Sequence, residues 1–320
     1  MTNYKKITDR IEELTIDNPK TAGDLKWVNI VNVGKNEINY LRKNYDFDSV
    51  HLKSTAASVS FQRTMIFKGK DYLFLVLHFP CFKDGKIIAA EVDFFIGHGY
   101  LITAHNNSLR ALINFFNLGR KSPDSLLAHS LESSAILLYE ILNILISNCY
   151  DLLDENSIAL SRIEDDIFSG EQKEAVEKIL SLRRNIINIR RIIQNHKNVF
   201  QKLLVMESTL VERTLLKKYY ADLVDHSKRI WEMLDNQKEM VEVLSNTNES
   251  LLNNKMTDIM KTLTIFSVIV FPLTLLAAIF GMNAKYMPFV DGIYGFWIII
   301  GMMLVGCAAM LIFFKRKKWL

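Results

Sequence analysis

The chain has 320 residues, of which 49% are hydrophobic and 23% charged, and its net charge at neutral pH is +4. So small and diluted a positive balance gives no reason to expect a nucleic-acid partner. The widely spaced Cys81, Cys149 and Cys307 offer neither a disulfide framework nor a zinc spacing, which fits a reducing compartment.

Residues 1–17 are polar and charged, without the apolar run of a secretory signal, so export of the N-terminal mass is not expected. Up to Pro123, glycine and proline occur at ordinary spacing. Leu25–Val33 reads as a strand and Asn36–Tyr45 as a helix. Val59–Phe67 and Tyr72–Phe79 are β-rich runs around the turn signal Lys68-Gly69-Lys70-Asp71. Lys86–Ile96 and Tyr100–Ala104 are two more, flanked by Asp84-Gly85 and Gly97-His98-Gly99, and Ser108–Asn117 reads as a short helix. Residues 1–123 are therefore expected to form an α/β domain, a small mixed sheet with helices packed on it.

From Pro123 to Pro272 there is no proline and the only glycine is Gly170, so this stretch must be mostly helix. A helical hairpin is expected over 124–206. Its first helix, Asp124–Phe168, stops at Ser169-Gly170; Glu171 then puts a negative charge at the start of a second helix that runs through Val176–Val199. A softer break falls in Glu207–Leu216. After it nothing stops the helix before Gly281, giving about 65 residues and near 100 Å at 1.5 Å per residue. A stalk over 207–261 that continues into a membrane explains such a length.

Two runs without charge follow, Thr262–Phe280 and Gly292–Phe314. Each has about 20 residues, enough to cross roughly 30 Å of hydrocarbon as a helix. The spans are taken as 262–281 and 292–314, joined by a loop over 282–291. So short a loop makes them antiparallel, so everything before Thr262 lies on the same side as residues 315–320. That tail, Lys315-Arg316-Lys317-Lys318-Trp319-Leu320, is basic. By the positive-inside rule both termini are expected in the cytoplasm and the loop outside. The expected fold class is an α+β cytoplasmic domain, a long helical stalk and two transmembrane α-helices.

One face of the first span is informative. Met260, Thr264, Ser267, Phe271, Thr274, Ala278 and Gly281 recur at spacings of three and four, and this face is small or polar in an otherwise apolar helix. A water-containing channel or a tight helix seam would favour it. Continued backwards, the phase gives Thr257, Asn253, Ser250, Asn246, Val243, Glu239, Asn236, Glu232, Arg229, Asp225 and Asp222. A solvated coiled-coil face explains the charged half equally well; the polar residues inside the span favour a lumen. No enzyme is expected. There is no Gly-x-x-x-x-Gly-Lys-Ser/Thr loop, no His-Glu-x-x-His and no Gly-x-Ser-x-Gly, and the seven histidines show no metal-ligand spacing. A membrane-anchored coiled-coil scaffold remains the alternative of a different class.

The C-terminal stretch Lys261–Leu320 resembles the CorA family of divalent-cation channels. The likeness is carried by Phe271-Pro272-Leu273-Thr274, Gly281-Met282-Asn283 between the two spans, Tyr286-Met287-Pro288 and the closing basic-Trp-Leu tail. Upstream it rests on architecture and on segments such as Asp222–His226 and Asn254–Leu263. The resemblance implies a funnel-shaped homopentamer, with the bilayer and divalent ions as its other partners; the lack of a targeting peptide makes the plasma membrane the expected location. Mg²⁺, with Co²⁺ and Ni²⁺ as further cargo, would enter passively down the membrane potential, and no catalytic cofactor is needed. It implies that Asn283 side chains and Gly281 carbonyls form a ring that selects hydrated Mg²⁺. This is chemically sensible, since Mg²⁺ sheds its water reluctantly. It places Met260, Leu263, Ser267 and Phe271 at the narrow part of the pore, with Thr264 and Thr274 on the same face.

The resemblance also implies a regulatory Mg²⁺ held between subunits by Asp222. Phe82 stands where the opposing acid is expected, so Asp84 or Asp93 would have to replace it. Phe271 replaces a Met of the best-known members. Ala284-Lys285 and Phe289 occupy places that are often acidic in the family, leaving only Asp291. Related ZntB-type zinc transporters share the architecture and form the alternative within transport.

Overall fold

The computed structural model describes residues 2–16, 24–56, 64–121, 133–205, 213–282, 294–317 and 319. They form two units, Met1–Leu244 and Ser245–Leu320, which are taken in turn.

The first unit is built on a seven-stranded sheet: β1 (Thr2–Lys6), β2 (Ile11–Ile16), β3 (Leu25–Val31), β4 (Met65–Lys68), β5 (Tyr72–Lys83), β6 (Lys86–Gly97) and β7 (Tyr100–His105), in the order β1-β2-β3-β7-β6-β5-β4. Every pairing is antiparallel except β3 with β7. The β5–β6 hairpin closes on Asp84 and Gly85, both with positive φ (50° and 75°), the geometry that suits a two-residue turn between twisted strands.

On one face of the sheet, α1 (Lys35–Asn44) and α2 (Ser49–Ala56) bring Ile38, Leu41 and Leu52 onto Val28, Ile30, Phe74, Val76, Phe95 and Ile102. Three helices serve the other face: α3 (Arg110–Lys121), α4 (Ser134–Ser169) and α5 (Gln172–Ile193). α4 contacts β5, β6 and β7, while α5 contacts β5 and β6. The same face buries polar side chains, and they satisfy each other. The Trp27 indole donates to Thr103 Oγ1 (3.1 Å), which donates to Asn29 Oδ1 (2.8 Å). His105 Nδ1 accepts from the Asn107 amide (3.1 Å), so Nε2 carries the proton and donates to Asn29 Oδ1 (2.9 Å). Burial lowers the His105 pKa to about 4, so the ring stays neutral and the network ties the one parallel pair, β3 and β7, together.

α4 begins where the Ser133 hydroxyl accepts from the Ile136 amide (3.3 Å) and Ser134 donates to the Gly97 carbonyl (2.7 Å). It ends at Gly170, whose φ of 103° is left-handed, the conformation glycine supplies at helix C-termini. The sequence reading of this stop agrees with the structure. α5 is fixed to the hairpin by Asn185 and Asn188, which take the amide and the carbonyl of Ile87. The helix expected to run on to Val199 instead breaks at Gln194–Asn195 and resumes as α6 (His196–Val205). The cause is tertiary: buried His196 donates to the His78 carbonyl (2.8 Å) and packs against Phe79.

The next element, α7, runs without interruption over Arg213–Phe280, 68 residues. The softer break in Glu207–Leu216 falls partly outside the described residues. In the first unit α7 buries Tyr220, Leu223, Ile230, Leu234, Val241 and Leu244. Gln237 donates to the Leu153 carbonyl (2.7 Å) and accepts from Asn156 (3.2 Å), a buried amide clasp between α4 and α7. Arg190 of α5 lies over the Trp231 ring (4.6 Å) and pairs with Asp235.

The second unit holds the rest of α7 and a last helix, α8 (Gly295–Arg316). Among the described residues three helices are long and apolar enough to cross a membrane, but they differ in cover. The apolar window of α4 is 61% buried within the protein; those of α7 and α8 are 6% and 0% buried. α4 is thus a core helix, whereas α7 and α8 keep apolar surface that water would not tolerate. The observed class is an α+β domain, a long helix and two C-terminal apolar helices, as the sequence indicated.

Candidate ion pathway and regulatory carboxylates

The face of α7 singled out in the sequence lies uncovered in each unit. In the first, Asp222, Asp225, Arg229, Glu232, Asn236, Glu239 and Val243 are all exposed, opposite the buried stripe. In the second, Asn246, Ser250, Asn253, Thr257, Met260, Leu263, Thr264, Phe271, Thr274 and Ala278 are exposed and Ser267 is half-buried. Met260, Leu263 and Phe271 are 62%, 63% and 72% accessible.

The hydroxyls on this face do not wait for water. Thr264 donates to the Met260 carbonyl (2.7 Å), Ser267 to Leu263 (2.9 Å) and Thr274 to Val270 (2.8 Å). Each binds one turn back along its own helix, so its donor is satisfied in any solvent while its oxygen can still accept. The polar stripe therefore tolerates lipid or a helix seam as well as a lumen, a weaker constraint than the sequence pattern implies. Pro272 sits inside the helix and has no N–H for the Val268 carbonyl, which leaves a second kind of free acceptor at this level.

α7 ends at Phe280. The Gly281 amide still donates to Ala277 (2.9 Å), and Met282 donates to Ile279 (3.2 Å), tightening the last turn. A Cβ at Gly281 would stand 3.0 Å from the Ala277 carbonyl oxygen, so the smallest residue suits this close. Asn283 lies outside the described residues, as do Ala284, Lys285, Tyr286-Met287-Pro288, Phe289 and Asp291.

Asp222 is engaged by side chains that the sequence reading did not include. Its Oδ2 accepts from the Tyr139 hydroxyl (3.1 Å) and lies 3.6 Å from His226 Nε2. His226 Nδ1 in turn meets the Tyr150 hydroxyl (3.0 Å). Burial, then the neighbouring Asp222 charge, raises the Tyr139 pKa to about 12, so this phenol remains a donor. The four-residue spacing of Asp222 and His226 was visible in the sequence; the two tyrosines come from α4 and carried no local signal.

Asp84 stands at the exposed tip of the β5–β6 hairpin, with Phe82 nearby 59% accessible. Asp93 is in a different setting. It is 2% accessible, between sheet and α2, with Oδ1 unpartnered and Thr55 bonding its carboxyl. That burial removes it from any site between chains. No group of three or more acidic, histidine or cysteine side chains that could hold a metal occurs among the described residues. Among the described residues, Asp222 and Asp84 therefore do not form a metal site within one chain.

The family model described as CorA-like Mg2+ transporter protein matches residues 22–316. The chain belongs to the CorA-like Mg²⁺ transporter family. The cobalt/magnesium transport protein CorA of Thermotoga maritima is 30% identical over 184 residues, 58% of this chain and 52% of that protein. The magnesium transport protein CorA of Haemophilus ducreyi is 25% identical over 321 residues, covering 97% of both chains. The CorA magnesium transporter structure from Methanocaldococcus jannaschii superposes with a TM-score of 0.82 at 20% identity, covering 98% of this chain and 100% of that one. The CorA family is one of membrane transporters rather than enzymes, and Mg²⁺ is its transported ion.

Proposed function

We propose that the chain is a passive Mg²⁺ uptake channel of the plasma membrane, working as a homopentamer with both termini in the cytoplasm. The observation that carries this reading is the uncovered, uncharged face of α7 between Met260 and Gly281. Its hydroxyl oxygens are free to accept and its only large side chains are apolar. In five copies around an axis such a face offers a hydrated cation acceptors without stripping its water. Rings of Met260, Leu263 and Phe271 close the path by dewetting. Asn283 and the Gly281 carbonyl are assigned the outer selective ring. Asp222 is assigned the regulatory carboxylate, completed by a neighbouring subunit, with Asp84 as its candidate opposite. Mg²⁺ bound there offsets repulsion between subunits and holds the pore shut. A divalent ion gains about 4.6 kcal/mol per 100 mV of inside-negative potential, which drives uptake without an enzyme.

Lys285 favours a second reading. Five lysines at the mouth would weaken attraction for cations there and leave room for Zn²⁺, Co²⁺ or Ni²⁺ as the preferred cargo. One experiment addresses both. The protein is reconstituted in vesicles under an inside-negative potential, and entry of Mg²⁺ and Zn²⁺ is followed by internal dyes. We expect rapid Mg²⁺ entry that falls about tenfold or more in Asn283→Ala, the factor that accompanies loss of one hydrogen bond to a charged partner. Asp222→Lys should conduct but no longer close when Mg²⁺ is raised on the cytoplasmic side. Entry of Zn²⁺ without Mg²⁺ would overturn the magnesium assignment.

A further inference from the structure

The last described residues of the second unit make contacts that a loose basic tail would not. α8 closes on Lys315 and Arg316, with Lys317 as its cap, and Lys318 follows in the sequence. Lys315, Arg316 and Lys317 are all exposed. None of the three stands in an ion pair among the described residues. The Lys317 amide still makes the ordinary helical bond to the Phe313 carbonyl, and the Trp319 amide reaches back to the Phe314 carbonyl, each at 3.1 Å. The Trp319 indole stacks on Phe314, with ring centroids 5.8 Å apart and planes 27° apart. Phe314 is buried, while Trp319 keeps 45% of its surface.

This fold-back holds a half-exposed indole against the last apolar turn of a membrane helix, the depth at which tryptophan sits in bilayers. It thereby fixes the cations at headgroup level instead of letting them trail into water. The negative end of the helix dipole accounts for one or two cations near a C-terminus. The positive-inside rule accounts for a longer run of cations, but neither accounts for the indole clamp.

We propose that Lys315, Arg316 and Lys317, anchored by Trp319 on Phe314, form a docking site for the phosphate headgroups of anionic phospholipids. Arginine presents a fork to two phosphate oxygens and the lysines supply point charges. Juxtamembrane clusters of this kind are drawn to anionic leaflets. The site requires only that α8 lie in a bilayer, so it stands or falls separately from the ion carried and from the direction of insertion.

The test uses the purified full-length protein in a neutral detergent and follows its thermal unfolding midpoint. The additions are phosphatidylglycerol, phosphatidylcholine or inorganic phosphate at equal concentration. We expect phosphatidylglycerol alone to raise the midpoint, saturably, and to remain bound through purification. The triple variant Lys315→Gln, Arg316→Gln, Lys317→Gln should lose roughly a hundredfold in the dose required, and Trp319→Ala should lose less. Should the triple variant fold poorly, the wild type still decides, because raising salt from about 0.05 M to about 0.5 M should weaken a headgroup interaction of exposed charges. An equal response to phosphatidylcholine, a response unchanged by salt, or a triple variant that behaves as wild type would overturn the proposal. Reproduction of the shift by inorganic phosphate would overturn the lipid as its source.

Discussion

The helix α4 and the membrane half of α7 are built from similar residues and live in different solvents. Both are rich in Leu, Ile, Ala and small hydroxyls, and both are long enough to span a bilayer. α4 is covered by its own chain, with Leu137, Leu142 and Leu153 inaccessible beneath the sheet, α5 and α7. The membrane half of α7 has no such cover, and Leu275 is 62% accessible. The polar groups follow this division only in part. Around α4 amides bond across the fold, as Gln237 does to Asn156 and Leu153, while the Ser157 and Ser161 hydroxyls bond one turn back along α4 itself. In the span they bond one turn back along the same helix. Apolar composition therefore does not identify a membrane helix; what identifies it is apolar surface left over when the rest of the chain has folded.

The sharpest way to break this comparison is to truncate one leucine in each helix. Leu142→Ala should cost about 2–5 kcal/mol, because it opens a cavity in a packed interior. Leu275→Ala removes a side chain that contacts little of its own chain, and should stay within about 1 kcal/mol. Denaturant unfolding of the full-length protein, read by tryptophan fluorescence, checks both. Equal losses would mean that the second span, or a neighbouring copy, packs over Leu275.

Among the described residues of the first unit, Asp93 is the one whose buried side chain keeps an oxygen without a partner. Burial, then the adjacent Glu91 charge, raises its pKa to about 8, with Thr55 the only opposing influence. The unfolded carboxyl titrates near 4. The folded state thus holds a proton that the unfolded state releases between those values, so stability falls as pH rises from about 4 to about 8 and levels off above. Asp93→Asn should remove this dependence. It should be near neutral at pH 4 and stabilise by a few kcal/mol at pH 9, as each unit of displacement is worth about 1.4 kcal/mol. Urea midpoints across that range provide the measurement. A variant whose gain does not grow with pH would show that the carboxylate is solvated in the folded protein.

The elements that local chemistry dictates were legible in the sequence. Asp84-Gly85 placed the hairpin, Gly170 ended α4, and the lack of any breaker predicted the length of α7 to within a few residues. The elements that were missed are those held by neighbours rather than by their own pattern. β1, at the sheet edge, and β2 beside it are short, charged strands that read as polar chain. α2 buries only Leu52 and Thr55, too few to show a period. The break before α6 depends on His196 reaching His78, a contact 118 residues apart. The uncovered face of α7 was legible because α7 is a single helix whose faces can be counted. The surroundings of Asp222 were not, since Tyr139 and Tyr150 approach from 83 and 76 residues away.

The mildest test concerns the surface between α5 and α7, where covered and uncovered faces meet. Arg190 lies flat over Trp231 and also pairs with Asp235. The arginine is mostly covered, but Asp235 is 52% accessible, so the ion pair alone should contribute little. Stacking on the indole adds about 0.5–1 kcal/mol and does not depend on salt in the same way. Arg190→Lys should therefore keep the charge and lose the planar stack. We expect a destabilisation of about 0.5 kcal/mol, with most of the salt sensitivity retained, and about 1 kcal/mol for Arg190→Ala, with that sensitivity gone. A lysine variant as stable as the wild type would assign the contact to charge alone. It would also place this seam with the solvated surface of α7 rather than with the packed interior that holds α4.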